Sequence, residues 1–249
     1  MSLSIDYKPF DLPGAAYYKA ANLPVPATVN LRHLTVSELR YFSKITNLDY
    51  FIDKILQSCL EGGAAKFDTD LLLTGDRIYM FYMIRALTVG EKYSFEIECS
   101  NPNCGQKLGA SANLFELPVK KFDETIGYPI HIHLPKANKG IDIALFNRQM
   151  EKEVETEVAK AEKEAPNTEP NEPVFRLWQM VKNVEGLTPV EAHMFLTQLH
   201  YLDWRAIEKV LTQVTPGLDL DATIKCDKCM KITEFSFSLR PKEFFLLGD

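Results

Sequence analysis

The apolar positions change period several times along the chain, and each change marks a different kind of element. Up to residue 30 no period holds. Pro9, Pro13, Pro24 and Pro26 interrupt the segment, with Tyr7, Phe10, Tyr17 and Tyr18 between them. Proline lacks an amide donor and clashes with the preceding helical turn. Residues 1–30 therefore read as an extended arm lying on a surface, either its own domain's or a partner's.

A helical block follows. Thr35-Val36-Ser37-Glu38 has the spacing of a capping box, in which hydroxyl and carboxylate satisfy each other's amides. Leu39, Phe42 and Ile45 then recur in three-residue steps. Phe51, Ile52, Ile55, Leu56 and Cys59 form a second apolar stripe, stopped by Gly62-Gly63. A third helix, capped by Asp76 and running to about Leu87, is apolar on most sides and so belongs at the centre.

After Gly90 the period shortens to two. Tyr93, Phe95 and Ile97 alternate with Ser94, Glu96 and Glu98, as in a half-buried strand. The tip Cys99–Cys104 and the return 106–115 complete a hairpin. Residues 128–135 are extended and bracketed by prolines. From Ile141 the pattern is helical again, with Ile143, Phe146, Met150, Val154, Val158 and Ala161 on one stripe to about Glu164. An acidic, proline-rich linker spans 166–173. Further helices are expected at 174–184, from the capping box and proline of Thr188-Pro189-Val190-Glu191, and from Asp203-Trp204-Arg205 to Val214. The end repeats the middle: 222–225, the turn Cys226-Asp227-Lys228-Cys229, and alternation over 232–239.

These elements predict an α+β fold in which helical groups pack around antiparallel β-hairpins joined by a zinc-ribbon-like four-cysteine site. The chain divides into an arm (1–30), a helical block with the first hairpin (31–140), a helical insertion (141–220) and a closing hairpin (221–249). A net charge of −6 gives the molecule as a whole no pull toward nucleic acid or anionic membranes. The most apolar run, Ile78–Ile84, is closed by Arg77 and Arg85 and is too short for a membrane span. No secretory pattern opens the sequence, so a cytoplasmic setting with reduced thiols is expected.

In that setting paired cysteines point to metal. Cys99 and Cys104 supply half a tetrahedral site, and Cys226 and Cys229 the other half, for one structural Zn2+. Four thiolates leave no open coordination position for catalysis. Two alternatives stand beside this reading: a redox CxxC pair, which belongs at a helix N-terminus rather than before a strand, and two unrelated turns. Cys59 is a core residue by its stripe. His131 and His133 share a strand face without further ligands, and His193 and His200 lie seven apart on helix. Nothing matches a phosphate loop, a nucleophile elbow or a zinc-protease motif, so the chain reads as non-enzymatic. Lys107, Lys225, Lys228 and Lys231 surround the cysteines and keep a zinc-ribbon nucleic-acid-binding or transcription adaptor as the rival reading.

The order of features resembles a known family. Leu12-Pro13-Gly14, the segment Leu34–Leu39, the run from Asp76 to Ile84-Arg85-Ala86-Leu87-Thr88-Val89-Gly90, the first cysteine pair, a helical insertion and a closing CxxC hairpin occur in sequence. This is similar to the baseplate hub assembly proteins of T-even-like contractile-tailed phages, over most of 12–240. The resemblance implies a chaperone or minor structural component of the tail hub, with other hub proteins as partners and self-association open. It places the protein in the host cytoplasm during assembly and leaves a place in the virion tail baseplate open. The arm and the helix to Glu164 would offer partner surfaces.

Overall fold

A computed structural model describes residues 6–166 and 168–237, and it is α+β. The proline-rich start is not an extended arm. Strand β1 (Lys8–Asp11) pairs antiparallel with β2 (Thr28–Leu31), and helix α1 (Ala15–Ala20) lies between them. Pro13 precedes α1, and Pro24 and Pro26 follow it, so they bracket the helix instead of breaking it. Tyr17 and Tyr18 are fully buried. The Tyr17 hydroxyl accepts from the Leu145 amide at 2.9 Å and the Tyr18 hydroxyl from the Leu73 amide at 2.9 Å. Burying both rings with their hydroxyls satisfied fixes the segment to its own core.

Helix α2 (Val36–Phe42) begins at the Thr35 capping box, with Glu38 Oε2 receiving the Thr35 amide at 2.8 Å. Helix α3 (Leu48–Cys59) buries the expected stripe, including Cys59, whose thiol burial pushes up to about 12. Helix α4 (Thr74–Val89) is central, but Asp76 does not cap it. The helix starts two residues earlier, and Asp76 lies in its first turn, wholly buried. Its carboxylate accepts the Gly14 amide at 2.9 Å and the Tyr18 hydroxyl.

Gly14 is required by this contact. A Cβ there would sit 2.3 Å from Asp76 Oδ2 and 2.9 Å from Leu73 Cδ1. We expect Gly14→Ala to destabilise the fold by about 1–3 kcal/mol, the usual range for overpacking a tight core, as read from denaturant melts. Burial raises the Asp76 carboxyl from 3.8 to about 6, against the two hydrogen bonds that favour its charge. The unfolded carboxyl therefore ionises before the folded one. The stability this site lends is complete below about pH 4 and is lost as pH rises through about 6, on the order of 3 kcal/mol. In Asp76→Asn, the pH–stability curve should lose that fall; an unchanged curve would contradict the assignment.

Strands β3 (Lys92–Glu98) and β4 (Lys107–Asn113) form the first hairpin. Arg85, buried near the end of α4, donates to the carbonyls of Gly90 and Lys92 and so sets the angle at which β3 leaves the helix. Short β5 (Val119–Lys120) follows, then β6 (Ile130–Leu134) and β7 (Lys139–Ile143). Ile141 and Ile143 are thus strand residues, not the start of the long helix. Helix α5 (Arg148–Glu164) begins after Asn147, whose side chain caps the Met150 amide. Helix α6 (Glu172–Met180) packs along α5 and stops at Met180, because Val181–Val184 becomes β8 and pairs with β7. The division expected at 140/141 falls inside β7.

Helix α7 (Pro189–Thr197) carries the expected capping box. Helix α8 (Tyr201–Val214) starts at the His200 cap, and Asp203 instead receives the amides of Lys136 and Ala137 at 2.6 and 3.0 Å, gripping the β6–β7 turn. Strand β9 (Gly217–Leu218) pairs with β5, and β10 (Asp221–Lys225) with β11 (Ile232–Ser236) form the closing hairpin. The alternation predicted to reach Leu239 runs past Ser236 into residues outside those described.

One continuous apolar core draws on residues from Leu12 to Val214. Inside it lies a charged cluster that no apolar pattern reveals. Arg77 on α4 binds Glu151 of α5 at 2.6 Å and Asp53 of α3 at 2.7 Å, while Arg148 binds Asp53 at 3.0 Å and Glu155 at 2.6 Å. Both arginines are buried. Three helices are therefore keyed together by paired ions.

Candidate metal centre

The two hairpin tips are built alike. The amide of each first cysteine bonds across its turn: Cys99 to the Gln106 carbonyl and Cys226 to the Lys231 carbonyl, both at 2.9 Å. Within the turns, the Cys104 amide donates to the Asn101 carbonyl at 2.9 Å and the Met230 amide to the Cys226 carbonyl at 2.8 Å. The residue after each second cysteine takes the left-handed conformation, Gly105 at φ 61° and Met230 at φ 62°. That reversal brings both sulfurs of a pair to one side. Glycine adopts it freely, whereas an L side chain such as Met230 pays roughly 1–2 kcal/mol.

All four sulfurs lie within 4.8 Å of one another. Cys99 Sγ is 3.5 Å from Cys229 Sγ, and Cys104 Sγ is 3.8 Å from Cys226 Sγ. A tetrahedron of thiolates with bonds of about 2.3 Å has edges of about 3.8 Å, so the sulfurs are spaced as one metal ion requires. A disulfide needs about 2.05 Å, and all four are free thiols. Both of these contacts cross from one hairpin to the other, so an ion held here would bind the middle of the chain to its end. Cys99 and Cys226 are buried, while Cys104 and Cys229 are half-buried. A hydrogen bond from the Lys231 amide brings the Cys229 thiol down to about 6, and burial takes Cys104 up to about 11. Metal binding would release the protons that remain.

A few direct contacts also link the two tips. The Ser100 amide donates to the Thr233 hydroxyl at 3.1 Å, and Lys231 Nζ donates to the Ser100 carbonyl at 3.1 Å. Lys228 Nζ reaches the Cys104 carbonyl at 3.3 Å. Leu108, Ile97 and Ile224 pack with the cysteines in a small core separate from the main one. Phe95 meets Phe235 and Phe237 at ring distances of 5.4 and 5.0 Å. Sequence patterns did not single out Thr233 or Ser100, which have no spacing signature and acquire their role only when the hairpins meet.

The other candidates disperse. His131 and His133 are exposed on β6, with His131 Nδ1 2.9 Å from Asp142 Oδ1. His193 packs against Trp178 with the rings tilted by 48°, and His200 caps α8. Neither pair joins a metal cluster among the described residues.

Comparison with protein families matches residues 15–246 to the model described as T4 bacteriophage base plate protein. The chain belongs to this family. The match takes in α1, the central helix, both cysteine hairpins and everything between them. This baseplate protein therefore has its four-cysteine cluster inside the family region, and the resemblance read from motif order is borne out. Leu12-Pro13-Gly14, at the edge of that region, meets Asp76 directly. Leu34 and Thr88 of the next two motifs also meet, amide to hydroxyl, at 3.0 Å. Comparison with curated proteins and with solved structures finds no match. No helix among the described residues is long and apolar enough to cross a membrane.

Proposed function

We propose that this protein is a non-enzymatic assembly factor of the phage tail baseplate hub, acting as a chaperone or minor structural component. One structural Zn2+ per chain, held by Cys99, Cys104, Cys226 and Cys229, keeps its two hairpins together. The observation that carries the reading is the family match across residues 15–246. Four thiolates fill a tetrahedral shell, so the ion stabilises and has no position for a substrate. The soft, all-sulfur donor set suits zinc in a reduced cytoplasm. Partners on this reading are other hub proteins, met in the host cytoplasm and in the tail.

The nucleic-acid adaptor reading is weaker on one specific ground. Lys228 and Lys231 each direct an ammonium at a carbonyl of the facing hairpin tip, where they help hold the site together. Infecting with a phage whose copy of this gene carries a stop codon tests the proposal. Tails lacking hub proteins, restored by the intact gene, are expected. Normal baseplates from the mutant would overturn it, as would recovery of the tagged protein with nucleic acid instead of hub components.

A further inference from the structure

Burial is shared unevenly among the four cysteines. Cys99 and Cys226 are buried, and Cys104 and Cys229 are half-buried. The sulfur contacts of Cys99 with Cys229 at 3.5 Å and of Cys104 with Cys226 at 3.8 Å together use each sulfur once. Each contact joins a half-buried cysteine to a buried one, and each crosses between the hairpins.

That arrangement suits oxidation as well as metal binding. A zinc-bound cysteine is already a thiolate, the form that attacks an oxidant. Access decides which thiolate reacts first, and here it is the outer one of each pair. Its sulfenic acid would lie against a buried thiolate able to resolve it into a disulfide. Closing these contacts to a disulfide length of about 2.05 Å moves each sulfur by about 0.7–0.9 Å, within the reach of side-chain rotation. The Ser100–Thr233 and Lys231–Ser100 bonds help to keep the tips facing while the first ligands are lost.

We propose that Cys104 and Cys229 are peroxide-reactive thiolates whose oxidation replaces the zinc by two disulfides, Cys99–Cys229 and Cys104–Cys226, without parting the hairpins. In each pair the outer thiolate breaks the O–O bond of one hydrogen peroxide, keeps one oxygen as a sulfenic acid and releases hydroxide. The buried thiolate then attacks that sulfur, the S–S bond forms and a second hydroxide leaves. Two protons from solvent convert the hydroxides to water. Each disulfide thus consumes one peroxide for a two-electron oxidation, and the two together release one Zn2+. The tie changes its chemistry between a reducing and an oxidising setting and stays closed in both. The inference rests on the zinc reading of the site.

The full-length, zinc-loaded protein is treated with hydrogen peroxide and followed by native mass spectrometry. Loss of one zinc and of four hydrogen atoms per chain is expected, with Cys59, wholly buried, still a thiol. Trypsin then identifies the pairing, because Lys228 separates Cys226 from Cys229 while Cys99 and Cys104 share the peptide 93–107. Cross-hairpin disulfides join three peptides into one species, and fragmentation assigns Cys99 to Cys229. Hairpin amides of the oxidised protein should keep their hydrogen-exchange protection in a chelator, and lose it when a thiol reductant is added as well. Zinc retained through the peroxide treatment would overturn the proposal. Disulfides within each hairpin, pairing of Cys99 with Cys226, or sulfinic acids in place of disulfides would also overturn it. Those results leave the zinc reading standing, whereas a zinc-free chain before any treatment removes that reading and this inference with it.

Discussion

Stripping the metal with a chelator, or replacing Cys226 by serine, should free the closing hairpin from the first while the main core stays folded. The reason is the size of the core beneath the tips. It contains three buried residues, Cys99, Leu108 and Cys226, fringed by Ile97, Ile224 and the other two cysteines. A two-stranded hairpin is marginal by itself, and the cross-tip bonds of Ser100, Thr233 and the lysines are few. Structural zinc binding in small domains is worth about 10 kcal/mol or more, far beyond what these contacts supply. Hydrogen exchange should therefore show amides of β3, β4, β10 and β11 losing protection by about a thousandfold or more, equivalent to about 4 kcal/mol of local stability. Amides of α4 should be almost unaffected. Uniform loss across the chain would mean that the hairpins and the main core unfold together, contrary to the two separate cores.

Arg77→Ala should be among the most damaging single substitutions, at about 3–5 kcal/mol. The cost comes from what the arginine leaves behind, because Asp53 and Glu151 would keep their charges in a nearly closed site with only Arg148 to share. Arg77 itself is 2% exposed. Lys152→Ala is the matched control. Its bridge to Asp70 is as short, 2.6 Å, but both side chains are partly open to water, 46% and 31% exposed, and solvent-exposed pairs contribute about 0–1 kcal/mol. Urea melts of both variants at neutral pH measure the difference. Equal losses would contradict the claim that the cluster is a buried tie between α3, α4 and α5.

The contrast between those two bridges also explains what the sequence could and could not disclose. Local signals translated faithfully: the capping boxes at Thr35 and Thr188, the alternation of Tyr93, Phe95 and Ile97, and the cysteine spacings. Each depends on neighbours a few residues away. Ile141 and Ile143 were misread because their steps to Phe146 and Met150 happen to suit a helix. Their strand partners, Val184 and Val181, lie some forty residues on, and the helix predicted over 174–184 hid them. Tyr17 and Tyr18 looked like arm residues because prolines flank them, and only Leu145, Leu73 and Asp76 reveal why they are buried. The same holds for Arg77 and Arg148, whose charge argues for the surface until their carboxylate partners are known. At the candidate centre the four cysteines were legible, since thiolate chemistry limits the choices. The pairing across 121 intervening residues and the supporting Ser100–Thr233 contact required the fold.

The most direct test of the whole account is the metal content of the purified, natively folded protein by native mass spectrometry. One zinc per chain is predicted, absent from Cys226→Ser. A metal-free chain with these four thiols unmodified would contradict it, and so would a mass two hydrogen atoms lighter per disulfide.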